Sequence, residues 1–182
     1  MKKTLIIVGH PSKKGFSHKI AKTIAENVDS AEILDLYDSE NAQNFLTFDD
    51  PHRLDGDEMR EKMQKKIAAA DEIVFVFPIW WGDMPAIVKN FFDQNFTSGF
   101  AFRYENGKPI GLLKGKTARI FSTADFEFPI FFKIFAGALW KIGRLHFCGI
   151  SLKNFTILGG KHKKTPAELD AFLEKVAAIV KK

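Results

Sequence analysis

The chain has 182 residues, 46% hydrophobic and 27% charged, which suits one domain, residues 1–182, able to bury about two-thirds of its unfolded surface. Its formal net charge is +5, but the lysine pairs (Lys2-Lys3, Lys13-Lys14, Lys65-Lys66, Lys163-Lys164 and Lys181-Lys182) are spread along the chain. They form no basic stripe, so no nucleic-acid partner is expected. A single cysteine, Cys148, excludes an internal disulfide and any CxxC redox or metal motif.

Phe147, Gly149 and Ile150 around Cys148 predict a buried structural thiol. Nineteen Phe are more than an ordinary core uses, so some of these rings are expected to line a ligand or partner surface. The first apolar run, Leu5 to Val8, is too short for a signal-peptide core, and the most apolar segment, Phe126 to Trp140, holds Lys133. A cytoplasmic protein with no membrane span is the expectation.

Thr4 to Val8 is continuously apolar and ends at Gly9, the pattern of a strand buried on both faces. Ile20, Ile24 and Val28 then recur at fourfold spacing beside Ala21 and Ala25, predicting a helix from Ser17. Ile33, Leu34 and Leu36 mark a second strand, and residues 38 to 57 a long connection. Met59, Met63 and Ile67 predict a helix that leads into Ile73-Val74-Phe75-Val76-Phe77, a buried third strand. Pro85 suits a first helical turn, with Ile87, Val88, Phe91, Phe92 and Phe96 as the apolar face behind it. Glu105-Asn106-Gly107 reads as the turn of a small hairpin. Thr117 to Ser122 is the fourth strand, Pro129 to about His146 a helix, Ser151 to Leu158 the fifth strand and Pro166 to Val180 the last helix.

This alternation predicts an α/β fold: a five-stranded parallel sheet, order 2-1-3-4-5, with helices on both faces. Its ligand crevice lies beyond the carboxyl ends of strands one and three, built from the loops at 9–17, 78–85 and 122–129. The first loop, Gly9-His10-Pro11-Ser12-Lys13-Lys14-Gly15-Phe16-Ser17, aims a helix N-terminus at the crevice, with Ser17 as N-cap, phosphate contact or both. It is neither a GxGxxG fingerprint nor a Walker A sequence. The second, Pro78-Ile79-Trp80-Trp81-Gly82-Asp83-Met84-Pro85-Ala86, sets two adjacent tryptophans at the crevice mouth. They suit a flat aromatic ligand, with backbone N–H groups for its polar edge. The third, Ser122-Thr123-Ala124-Asp125, adds small polar groups, and Phe126, Phe128 and Phe131 beyond it are expected to wall an acceptor pocket. The five histidines are scattered and read as loop or surface residues. With no nucleophile–base pair or metal-ligand spacing, no catalytic side chain and no metal are assigned, a pattern that fits chemistry carried by a cofactor.

The Pro-x-x-Trp-x-x-x-Pro-Ala element, together with Leu112-Leu113-Lys114-Gly115-Lys116, Gly99-Phe100-Ala101-Phe102 and Phe147-Cys148-Gly149-Ile150, resembles the NAD(P)H dehydrogenase (quinone) family of flavodoxin-like proteins, which includes ancillary proteins of potassium efflux. The resemblance implies that His10, Phe16 and Ser17 surround a flavin phosphate. It implies that Pro78, Ile79, Trp80, Trp81 and Gly82 border the isoalloxazine, and that Ser122 and Thr123 lie near its pyrimidine end. It further implies FMN (with FAD as the alternative), NAD(P)H as electron donor, ping-pong hydride transfer to a quinone, and a homodimer. Such reductases often carry an aromatic residue at the position of Gly82, Asn at that of Ser17, and paired glycines then Tyr where Ala124-Asp125 stand. No proton donor to a reduced quinone is therefore assigned. The alternatives are a regulatory flavoprotein subunit of a potassium-efflux transporter, docking through the Phe-rich segment, and a flavodoxin-type electron carrier, a class usually acidic where this chain is basic.

Overall fold

The computed structural model describes residues 1–49, 56–127, 134 and 137–182. Five parallel strands form the central sheet: β1 (Lys3–Val8), β2 (Ser30–Asp35), β3 (Glu72–Pro78), β6 (Thr117–Thr123) and β7 (Ser151–Leu158). Their order is β2-β1-β3-β6-β7, the 2-1-3-4-5 arrangement once the inserted hairpin is set aside. That hairpin, β4 (Phe102–Glu105) with β5 (Lys108–Gly111), turns at Asn106-Gly107, whose φ of 51° and 74° are those of a type I′ turn.

The two-residue period of each central strand divides the core. Leu5 and Ile7 of β1 and Ile73, Phe75 and Phe77 of β3 pack with Met63, Ile67, Val88 and Phe91 of α2 (Glu58–Ala69) and α3 (Ala86–Asn95). Ile6, Val8, Val74 and Val76 face the opposite layer, Ile20 and Ile24 of α1 (Phe16–Ala25) with Phe172 and Val176 of α4 (Pro166–Val180). β1 and β3 are thus covered on both sides, which is why they read as continuous apolar runs.

Several boundaries differ from the sequence reading. α1 ends at Ala25, and Val28 packs against the core from the loop beyond it. Pro85 is the N-cap of α3 and Phe96 its C-cap. The long connection after β2 contains a short 3-10 turn, Ser39–Asn41, and its amide-rich stretch is clasped by α3: Asn90 Nδ2 donates to the Gln43 carbonyl (3.0 Å) and Gln94 Nε2 to that of Asn44 (2.7 Å). Of the helix expected from Pro129 to His146, Ile134, Gly137 and Ala138 are α-helical, whereas Leu139–Leu145 forms a π-helical segment followed by a 3-10 turn, His146–Cys148. Residues 129–133, 135 and 136 of that expected helix lie outside the described residues. Trp140 is buried there, stacked on Phe77 with centroids 5.6 Å apart. Cys148 is buried as expected, and burial pushes its thiol up to about 12. No helix among the described residues is long and apolar enough to cross a membrane.

At the amino end of the sheet a buried ion pair joins the central strands. Arg119 Nη1 donates to Glu72 Oε2 at 2.6 Å, with Lys2 and the Thr117 hydroxyl on the same carboxylate. Removing one partner of such a pair strands the other charge, whereas apolar residues of similar volume often do no harm. Arg119→Met should cost about 3–5 kcal/mol and Glu72→Leu/Arg119→Met much less, as read from urea midpoints of the single and double variants.

Candidate active site

Because β1, β3 and β6 are adjacent and parallel, their carboxyl ends meet at one edge, with Val8 opposite Val76 and Pro78 opposite Thr123. The loops after them therefore share one crevice, where two structural details set its shape. The Gly9 N–H donates to the Val76 carbonyl at 2.9 Å, and a Cβ on Gly9 would lie 2.1 Å from Val88 Cγ2 of α3. Only glycine lets the first loop pass under α3. Beyond it the loop folds on itself: His10 Nδ1 accepts from the Ser12 N–H (3.0 Å), and the Ser12 carbonyl from the Gly15 N–H (2.8 Å).

Gly15, not Ser17, is the N-cap of α1, and no side chain caps that end. Ser17 stands inside the first turn, 1% exposed. Among the described residues, its hydroxyl and that of Ser122, fully buried near the end of β6, belong to the few buried polar side-chain atoms with no hydrogen-bond partner. The first N–H groups of a helix have no partner within it and carry its positive dipole end. An anionic group at α1 and a polar heterocycle edge near β6 would satisfy these groups, so the residues present fit a flavin mononucleotide.

Near the β2 side of the first loop lies a charged cluster that periodicity and motif gave no sign of. Asp35, the 4% exposed last residue of β2, receives hydrogen bonds from Lys13 Nζ and the Tyr37 N–H (3.0 Å), with His18 Nε2 2.6 Å from it; Lys13 also pairs with Asp38. Burial pushes the Asp35 carboxyl up, but the bonds from Lys13, His18 and Tyr37 outweigh it and hold the group below its ordinary value. His10 and His18, read from the sequence as scattered loop or surface residues, meet edge to face at 6.2 Å. Burial pushes the His10 imidazole down.

The second loop is a tight turn. Trp80 and Asp83 exchange both backbone hydrogen bonds (2.9 and 3.0 Å), and Trp81 and Gly82 between them have φ of 50° and 82°, a type I′ turn. A Trp at positive φ carries strain of about 1–3 kcal/mol. Trp81 is fully exposed and Trp80 is 43% exposed, so neither is core. The expected supply of free N–H groups after β3 is reduced: that of Ile79 goes to the Thr123 carbonyl (2.8 Å), that of Met84 to Asp83 Oδ1 (2.8 Å), and those of Trp80 and Asp83 close the turn. The third loop leans on the end of β7 and the residues after it, with the Ala124 N–H donating to the Leu158 carbonyl and the Lys161 N–H to that of Ala124. Phe126 is exposed beside it; Phe128 and Phe131 lie outside the described residues. Phe16 is buried, its ring centroid 6.2 Å from that of Phe172.

A doubly wound parallel sheet, with the loops after its central strands meeting at the switch point, defines the class. A sequence profile of proteins with the flavodoxin-like fold matches residues 2–180, and the chain belongs to that family. It is 31% identical to an uncharacterized NAD(P)H oxidoreductase of Haemophilus influenzae, over 93% of this chain and 97% of the relative. It is 30% identical to an FMN-dependent NADH:quinone oxidoreductase of Macrococcus caseolyticus, over 70% of this chain and 76% of that one. The crystal structure of Smu.1420 from Streptococcus mutans superposes with a TM-score of 0.86 at 32% identity, covering 98% of both chains.

Two outcomes test this geometry. Gly9→Ala should lose about 1–3 kcal/mol, seen as a lower Tm, because the new methyl meets Val88. Asp35 is held below its unfolded value, so its contribution is complete above about pH 4 and is lost as pH falls through the folded value. The Tm gap between wild type and Asp35→Asn should therefore shrink as pH is lowered from 5 to 2.

Proposed function

We propose that residues 1–182 act as one flavin-binding unit that oxidises NAD(P)H and reduces quinones or similar flat acceptors in two half-reactions at a shared site. The observation that carries the reading is the pair of unsatisfied buried hydroxyls, Ser17 in the first turn of α1 and Ser122 near the end of β6, which a flavin bound across the strand ends would reach. The names of the Haemophilus and Macrococcus relatives support the reaction class and FMN over FAD. FMN, when bound, supplies the hydride-accepting and hydride-donating ring.

The protein's part is to bind, orient and exclude. The amino end of α1, with Ser17 beside it and His10 in the preceding loop, holds the phosphate; the Lys13–Asp35–His18 cluster keeps that loop in shape. Trp81 and Gly82, at the centre of their turn, keep N–H groups the turn itself does not use, and these stabilise charge on the ring edge. Pro78 and Ile79 form the floor of the ring site, Trp80 and Trp81 its rim, and Ser122 and Thr123 bond the pyrimidine edge. Phe126, with Phe128 and Phe131 as further candidates, lines the acceptor side. A homodimer is part of the proposal. Exposed Phe45, Tyr104, Leu139 and Ile142 are large apolar groups that a second copy would cover, and Phe45 also edges a cavity of about 460 Å³ lined by Phe92, Phe96, Phe102 and Phe147.

Purified protein should take up FMN, quench its fluorescence and oxidise NAD(P)H with a quinone; a chain that neither binds FMN nor turns over overturns the reading. Ser17→Ala should weaken FMN about 5–10-fold, the worth of one hydrogen bond, with unchanged Tm because no protein partner is lost. Trp81→Ala should reduce kcat/KM for quinones while stability stays within about 0.5 kcal/mol, since the ring contributes nothing to the core.

A further inference from the structure

The tryptophan turn is not held by its own hydrogen bonds alone. Asp83, its last residue, is grasped from outside: Arg144 Nη2 donates to Asp83 Oδ2 at 2.8 Å, while Asp83 Oδ1 accepts the Met84 N–H. Arg144 comes from the π-helical segment Leu139–Leu145, an irregularity that recurs at functional sites. Its side chain is largely buried, and its guanidinium carbon lies 5.2 Å from the centroid of the Trp140 ring. Trp140 stacks in turn on Phe77, the penultimate residue of β3.

The contacts close a circuit. The chain leaves β3 at Pro78, makes the turn, and is tied back through Asp83, Arg144 and Trp140 to the side chain of Phe77 on the strand it left. An exposed turn with Trp at positive φ has easier conformations to adopt, and this external tie selects the strained one.

We propose that Arg144 is a positioning residue for the acceptor site: by gripping Asp83 it fixes the turn that carries Trp80 and Trp81, and so sets the gap open to a flat acceptor. The inference rests on the quinone-reductase reading of the crevice. Arg144 touches neither cofactor nor substrate in this scheme. It acts through Asp83, and its planar fork and stacking on Trp140 make lysine an incomplete substitute.

The test uses Arg144→Met, which removes the guanidinium but keeps an unbranched apolar side chain, with Arg144→Lys, Asp83→Ala and the Asp83→Ala/Arg144→Met double variant. On the flavin-free protein, amide exchange at Trp80 and Asp83 should quicken about tenfold in Arg144→Met, while the Gly9, Ile79 and Ala124 amides exchange as before. With FMN bound, KM for menadione should rise about 5–10-fold at little changed kcat, and ferricyanide, which needs no stacking surface, should be reduced as by wild type. Arg144→Lys should recover part of both effects. The double variant should be no worse than the worse single variant, because the two residues act as a unit.

Unchanged exchange at Trp80 and Asp83 overturns the proposal, as does faster exchange there with an unaltered menadione KM. Additive losses in the double variant, or a uniform rise in exchange with a fallen Tm, would make Arg144 a general structural residue and overturn it too. Wild-type protein that binds no FMN refutes the reading of the crevice instead, and the exchange measurement still decides whether Arg144 holds the turn.

Discussion

The lateral pairing of β1 with β3 is the constraint on which the rest of the molecule depends. These strands are not neighbours in the chain, and joining them in parallel forces one crossover to each side of the pair. The loops that leave their carboxyl ends then have to part, and the space between them is the crevice. Both strands are covered on both faces, so the edge they present is stiff. A loop fastened to that edge, as Gly9 is to Val76, inherits its position from the core and not from its own residues.

The two ends of the crevice are built on different physics. Near β2 the first loop is governed by charge and hydrogen bonding, with Lys13 and His18 converging on one buried carboxylate. Near β6 the second loop is governed by backbone geometry and aromatic surface, with an exposed Trp pair on a turn of positive φ. A ligand with a phosphate at one end and a fused ring at the other matches that asymmetry.

Much of this was legible in the amino-acid order, for identifiable reasons. A strand buried on both faces leaves a continuous apolar run, and Ile73 to Phe77, short and rich in β-branched and aromatic residues, was the clearest of them. Asn106-Gly107 specified its turn because few residue pairs accept two positive φ angles in succession. What escaped was decided by contacts between distant segments. No periodicity places Asp35 beside Lys13 and His18, or Asp83 beside Arg144, because each pair is made only after strands and loops have been assembled. Ser17 was misread in part, since a serine near a helix start suits the capping position equally well. The chain starts its helix two residues earlier, and the hydroxyl is left inside the first turn. Leu139 to Leu145 read as part of an ordinary helix because apolar spacing does not distinguish 3.6 residues per turn from a locally wider coil.

Cys148 carries the chain's single thiol. Enzymes that move electrons near oxygen work beside peroxide and superoxide, and thiolates are what those species attack. With Cys148 enclosed and its thiol pushed up to about 12, the anion is on the order of one part in a hundred thousand at neutral pH. The chain's one thiol is thereby withdrawn from oxidation, mixed-disulfide formation and metal capture. A cysteine placed deliberately on the surface would then be the sole reactive thiol, so a dye or spin probe attached there reports from one known position.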